Sequence, residues 1–206
     1  ILDTINTFKL IISDKSDLAG LSNDTIEEAA ESASKTGLEG KWIFTLHNSS
    51  IIPFLQYADN RKLRQQIWEA YTNKGNNGDD YDNNNIVAEI IKLRTQKANI
   101  LGYSSHSHYV LEEQMAKSPD QVYELLNKLW SPAIKVAQAE ADDLQQMIRQ
   151  EGNDFMLKPW DWRYYAEKLR KQKYDLDEVE IKPYFSLEKV QQGVFDTAQK
   201  LYGISF

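Results

Sequence analysis

The segment from Ser118 to Gly152 constrains the fold more than any other. Ser118-Pro119-Asp120-Gln121 is a strong helix start, with Ser as N-cap, Pro at the first helical position and Gln at the third. Val122, Leu125, Leu126, Leu129, Ala133, Ala137, Leu144 and Ile148 then recur at helical spacing until Gly152. At 1.5 Å per residue such a helix is about 45–50 Å long. Pro132 falls inside it and is expected to kink it near Lys128, whose carbonyl loses its donor. A chain that carries this element is expected to be mainly α.

The rest of the sequence agrees, with one exception. Ile1–Ser13 has apolar residues at 2, 5, 8 and 12 and reads as the last turns of a helix. Asn23 or Asp24 caps a short helix through Lys35, ended by Gly37. Lys41–His47 alternates Trp42, Phe44 and Leu46 with Ile43, Thr45 and His47, and is the one convincing strand. No partner strand is evident, so an isolated strand is expected near 41–47, with its pairing outside this chain. Asp59 or Asn60 caps a helix carrying Leu63, Ile67, Ala70 and Tyr71 to Gly75. Asn73–Asn85 is polar, aperiodic and rich in Gly, Asn and Asp, and reads as a loop. From Asn84 or Asn85 a helix runs to Gly102 with apolar residues on both sides, so it is expected to be deeply packed. A last helix, Leu187–Tyr202, should turn Val190, Val194, Phe195, Ala198 and Leu201 inward. We read 1–206 as a single multi-helical fragment with a sub-boundary near 102–118.

Lys158–Phe185 has a different character. Pro159 opens a helix, and Trp160, Trp162, Tyr164 and Tyr165 follow at once. Aromatics at this density predict a packing hub. The two tryptophans are two residues apart, roughly 200° around the axis, so they should touch different neighbours. Lys168, Arg170, Lys171 and Lys173 follow, and Asp177 reads as the N-cap of a further helix with Glu180 three residues on.

Composition narrows the function classes. Of 206 residues, 31 are Asp or Glu and 24 Lys or Arg, a net charge of -7, which argues against nucleic acid as a general partner. No apolar run is long enough to span a membrane. Cysteine is absent, which excludes disulfides and thiolate metal sites. The three histidines are His47, His106 and His108, and none is followed by Glu, so there is no HExxH. His108 and Glu112 can share a helix face, but a zinc site needs three or four convergent ligands. Aligned as a calcium loop on Asp80, Asp82 and Asn84, the Asn-rich segment puts Asn85 where the turn glycine belongs and Ile91 where the bidentate Glu belongs, so it fails. The aromatic and basic stretch has the composition of a single-strand nucleic-acid platform, but in so acidic a chain it reads instead as an amphipathic helix whose aromatics pack and whose Lys and Arg face water. Glu112-Glu113 and Asp142-Asp143 read as solvated faces. No residue of the chain is assigned a catalytic, cofactor-binding or metal role. On residue chemistry alone two classes remain: a non-catalytic helical interaction module, or a wall segment of an enzyme whose chemistry lies elsewhere.

Pro159–Phe185, PWDWRYYAEKLRKQKYDLDEVEIKPYF, resembles the segment that precedes the zinc-binding helix in the thimet oligopeptidase family. Phe44–Gly75 and Leu101–Trp130 resemble the same family in the same order. The likeness covers most of the chain and is closest to the peptidyl-dipeptidase branch. It implies a helical piece of a zincin-like oligopeptidase, in which two halves flank a narrow cleft with zinc at its floor. It further implies a parent that hydrolyses short peptides, releasing C-terminal dipeptides, with the zinc ligands on an HExxH helix downstream. Ile1 opens without Met or a basic leader, and Gly203–Phe206 stops as an apolar segment begins, so an internal fragment is expected. Its location is expected to be cytoplasmic, with periplasmic as the alternative.

Overall fold

The computed structural model describes residues 2–175 and 178–206. It is mainly helical. In chain order the elements are α1 (Leu2–Thr7), β1 (Leu10–Ile12), α2 (Asn23–Ser34), β2 (Trp42–Phe44), α3 (Asn48–Tyr57), α4 (Arg61–Thr72), α5 (Asn84–Ile100), α6 (His106–Leu111), α7 (Pro119–Gln150), α8 (Pro159–Tyr174), α9 (Glu178–Ile181) and α10 (Leu187–Tyr202). The chain divides into two compact units, Ile1–Tyr165 and Ala166–Phe206, and the stretch 102–118 lies inside the first. Asp177, read from the sequence as an N-cap, lies outside the described residues.

The strand is not isolated. β1 and β2 pair antiparallel, with Leu10 opposite Phe44, Ile11 opposite Ile43 and Ile12 opposite Trp42. The expected helix to Ser13 stops instead at Thr7, whose hydroxyl donates back to the Asp3 carbonyl. The apolar residues of the first thirteen positions fit a helical period, and this disguised a three-residue strand. Ile11 and Ile12 are β-branched and fit the pleated surface of a sheet better than a helix. β2 is also shorter than 41–47. The backbone N–H of Thr45 donates to Ser50 Oγ instead of to a strand, and His47 is already the residue before α3.

These two strands carry the core of the first unit. Leu10 and Ile12 point in with Leu18, Ala29, Phe44, Leu46, Ile51, Phe54, Leu55, Ala58 and Ile67. The Phe44 and Phe54 rings meet at 4.6 Å, tilted by 57°. α2 presents Ala29 to this core and buries Ala33 as well, and these small side chains let the helix pack close to β2. Its start is set by Ser22, whose Oγ accepts from the N–H of Thr25. α4 starts where Asn60 Oδ1 accepts from the N–H groups of Lys62 and Leu63.

α7 is capped by Ser118 Oγ, which accepts from Gln121 N–H, and runs through Pro132 to Gln150. Two expectations of burial do not hold. In α5 only Ala98 is buried, and Ile86, Val87, Ile90, Ile91 and Leu93 face solvent. In α10 no residue is buried, and Val190, Val194 and Leu201 are exposed. Their periodicity marks faces suited to packing, but nothing among the described residues covers them. Within the second unit, Phe195 stacks on Phe206 at 4.7 Å.

Candidate functional site

The most concentrated side-chain chemistry surrounds Asp161. Pro159 takes the first helical position of α8 and so places Asp161 at the third. From there its carboxylate reaches back and accepts the N–H of Lys158 at 3.1 Å, while Asp161 N–H donates to the Lys158 carbonyl at 2.8 Å. This is the third-position half of a capping box, and a carboxylate in the first turn also suits the helix dipole.

Two arginines from the first turns of α4 converge on it. Arg61 donates from Nε to Oδ1 at 2.9 Å and from Nη2 to Oδ2 at 2.8 Å, a bidentate fork. Arg64 donates from Nη2 to Oδ1 at 3.1 Å. Its other nitrogens reach the carbonyls of Ala58 at 2.7 Å, Asp59 at 3.1 Å and Trp160 at 3.3 Å. Asp161 is 0% exposed and Arg64 1%. A guanidinium this deep is tolerated because nearly all of its donors find acceptors. The Arg64 guanidinium also lies over the Tyr164 ring at 4.0 Å, and that of Arg61 over Phe155 at 4.1 Å.

The joint extends outward. Tyr164 Oη donates to Asp59 Oδ1 at 2.7 Å, Asp59 N–H to the Ala19 carbonyl at 2.9 Å, and Asn60 Nδ2 to Asp17 Oδ1 at 2.8 Å. Gly20, at φ +87°, sits so close that an added Cβ would stand 2.0 Å from the Tyr57 carbonyl oxygen. Tyr165 makes an edge contact with Tyr164, ring centroids 5.1 Å apart, and donates to Glu151. Burial, reinforced by the Glu151 charge, pushes its phenol well above the ordinary tyrosine range. Both Asp161 oxygens are engaged by cationic donors, so this carboxylate is held as a fixed counter-ion. The cluster does structural work: it clamps α4 and the 17–20 turn onto the head of α8.

The aromatic stretch is a hub, but one of its tryptophans is peripheral. Trp160 meets Trp68 edge-on at 5.7 Å, and Tyr164 and Tyr165 are buried. Trp162 is 36% exposed. In the basic run that follows, Arg170 pairs with Glu167 through Nη2–Oε1 at 2.6 Å.

The histidines do not fit a catalytic zinc. His106 and His108 lie in the first turn of α6, where Ser105 Oγ caps the helix and lies 2.8 Å from His108 Nδ1. Glu112 is engaged by the Tyr103 hydroxyl, an interaction that holds that phenol above its usual range. His47 lies far away in sequence at the start of α3, beside a cavity of about 170 Å3 that Glu28, Ser32 and Ser49 also line. Among the described residues no three His, Asp or Glu side chains are grouped to hold a metal. In the Asn-rich loop the N–H groups of Asn84 and Gly78 bind the Asp82 carboxylate and hold it below the usual range. That carboxylate closes the loop on itself. Among the described residues, no helix is long and apolar enough to cross a membrane.

Asp161, Arg61 and Arg64 were not singled out by sequence reasoning, and Asp59 was named only as a candidate helix cap. A signal existed in the Lys158-Pro-Trp-Asp start, where an acid three residues on implies a capping role, and in Arg61 and Arg64 three apart on one helix face. Their convergence across about a hundred residues had no local signature.

Fold and site together define a mainly helical chain whose first unit is held by a buried ionic joint. The chain matches the model of Peptidase family M3 over residues 54–206, and it belongs to that family. It is 35% identical to the dipeptidyl carboxypeptidase of Escherichia coli (strain K12), over 96% of this chain and 29% of that protein. Over 99% of its length it is 37% identical to the organellar oligopeptidase A, chloroplastic/mitochondrial, of Arabidopsis thaliana, of which it covers 26%. Oligopeptidase A of Haemophilus influenzae is 31% identical, with 99% of this chain and 30% of the relative covered. The chain thus spans less than a third of the length of these relatives.

Proposed function

We propose that residues 1–206 are a non-catalytic helical wall of a zinc-dependent oligopeptidase that hydrolyses short peptides, of the type that releases C-terminal dipeptides. Membership of the peptidase family over residues 54–206 carries this reading. The side chains support the division of labour. The deepest charged group, Asp161, is locked into a clamp, and His108 and Glu112 are bound to near neighbours. In this reading the metal ligands and the water-activating Glu belong to an HExxH helix elsewhere in the parent polypeptide. The peptides are short and unstructured, and the parent works in the cytoplasm.

The test is metal content and activity in two proteins. The complete parent polypeptide is expected to retain zinc after dialysis and to release dipeptides, in a chelator-sensitive way, from a short peptide with a free C-terminus. Residues 1–206 are expected to do neither. Stoichiometric zinc and dipeptide release from residues 1–206 alone would overturn the reading, as would a parent with no peptidase activity.

A further inference from the structure

Two helices of the first unit carry apolar stripes that are buried at one end only. On α7, Leu126, Leu129, Ala133, Ala137, Leu144, Met147 and Ile148 fall within roughly a 100° arc. At the C-terminal end Leu144, Met147 and Ile148 are buried, but Leu126 and Leu129, on the same arc, are more than half exposed. On α5, Val87, Ile91 and Ala98 share a stripe. Ala98 at its end is fully buried, yet Val87 and Ile91 are open. α5 also carries a second stripe: Ile86, Ile90, Leu93 and Ile100, all between 43% and 85% exposed.

We infer that α5 and the N-terminal two-thirds of α7 are docking faces for the remaining length of the parent polypeptide. This rests on the reading of the chain as part of a longer peptidase. Two observations select that occupant over a second copy. The two stripes of α5 together span about 180° of the helix circumference, with Arg94 and Lys97 the charged side chains within that arc, whereas a two-helix seam uses a much narrower strip. A symmetric partner covers one strip, while an arc this wide needs neighbours on several sides, as in the interior of a large domain. The relatives supply the material, since more than two-thirds of their length lies outside the region matched. The polar side of α5, with Glu89 and Lys92 paired at 3.3 Å, is the side left for solvent.

The absence of cysteine from residues 1–206 makes the test direct. Val87→Cys, Ile90→Cys, Leu129→Cys and, as a solvent-side reference, Glu89→Cys are made one at a time in the complete parent polypeptide. Each is labelled with a water-soluble maleimide, and the labelled peptide is identified by mass so that cysteines elsewhere do not interfere. Cysteine is a small apolar residue and is tolerated at buried positions. Positions 87, 90 and 129 are expected to react at least about tenfold more slowly than position 89 in the native protein, and at its rate in denaturant. Protection that persists on dilution to a sedimenting monomer supports the inference. Native reactivity at 87, 90 and 129 equal to that at 89 overturns it, and so does protection that disappears on dilution, which would make a second copy the occupant. The readout needs no activity, so a parent that is not a peptidase can still pass or fail it.

Discussion

Arg64 Nη2 donates to Asp161 Oδ1 at 3.1 Å with both side chains closed off from solvent, and 97 positions separate the two in the chain. Removing Asp161 leaves the Arg64 guanidinium buried without a counter-ion, whereas removing Arg64 leaves Asp161 with Arg61 alone. Asp161→Ala strands Arg64 and Arg61 together and also removes the carboxylate from the head of α8. The expected loss is about 3–5 kcal/mol of unfolding free energy, read as a lower urea midpoint at unchanged slope. Arg64→Lys should lose most of the same energy, because one ammonium cannot reach four acceptors lying in different directions. A midpoint unmoved by both substitutions would show that the joint contributes nothing to stability.

Tyr165 gives a pH-dependent signature. Its phenol titrates higher in the folded chain than its ordinary value of 10.0, so the fold favours the protonated form. Below about pH 10 folded and unfolded states hold the proton equally, and this group adds no slope. Above it the unfolded chain loses the proton first, so the folded state binds more protons and stability falls as pH rises. Stability measured from pH 8 to 11 should therefore decline more steeply in the native sequence than in Tyr165→Phe. Parallel curves would contradict this.

Gly20 is expected to tolerate no side chain. Its φ is +87°, and a Cβ would collide with the backbone oxygen of Tyr57, which has no flexible end to swing away. Gly20→Ala should destabilise by more than about 1 kcal/mol, through strain at positive φ together with displacement of the 17–20 turn from α4. Gly37→Ala, also at positive φ but with nothing within 4 Å, serves as the comparison and should cost less. Equal melting temperatures for the two variants would count against the close approach.

The tryptophans of α8 separate by their surroundings. Trp160 packs against Trp68 and beneath the Arg61 guanidinium, whereas Trp162 is on the surface. Trp160→Ala should cost about 3 kcal/mol, at the low end for aromatic truncation because the ring is only partly enclosed. Trp162→Ala should change the melting temperature little. The opposite ranking would place the hub on the wrong side of the helix.

Local rules in the sequence determined where most helices begin. Asn60 and Ser118 cap their own helices within three residues, and Gly37, Gly75 and Gly102 hold the positive φ of chain turns. Such signals need only neighbours three or four positions apart, so they survive in one dimension. The resemblance to a peptidase family was also legible, carried by motifs across most of the chain, and the family match over residues 54–206 agrees with it. What the tertiary structure decided depended on partners distant in sequence. The strand at 42–44 pairs with 10–12, thirty residues earlier, through backbone groups that every residue has, so no side-chain pattern announced it. Two arginines and an aspartate met across a hundred positions, and nothing local to Asp161 pointed to Arg61 and Arg64 as its partners. The apolar faces of α5 and α10 had the period of buried helices and are nonetheless exposed. Periodicity records which face a helix is suited to bury, but burial itself requires another surface to be there.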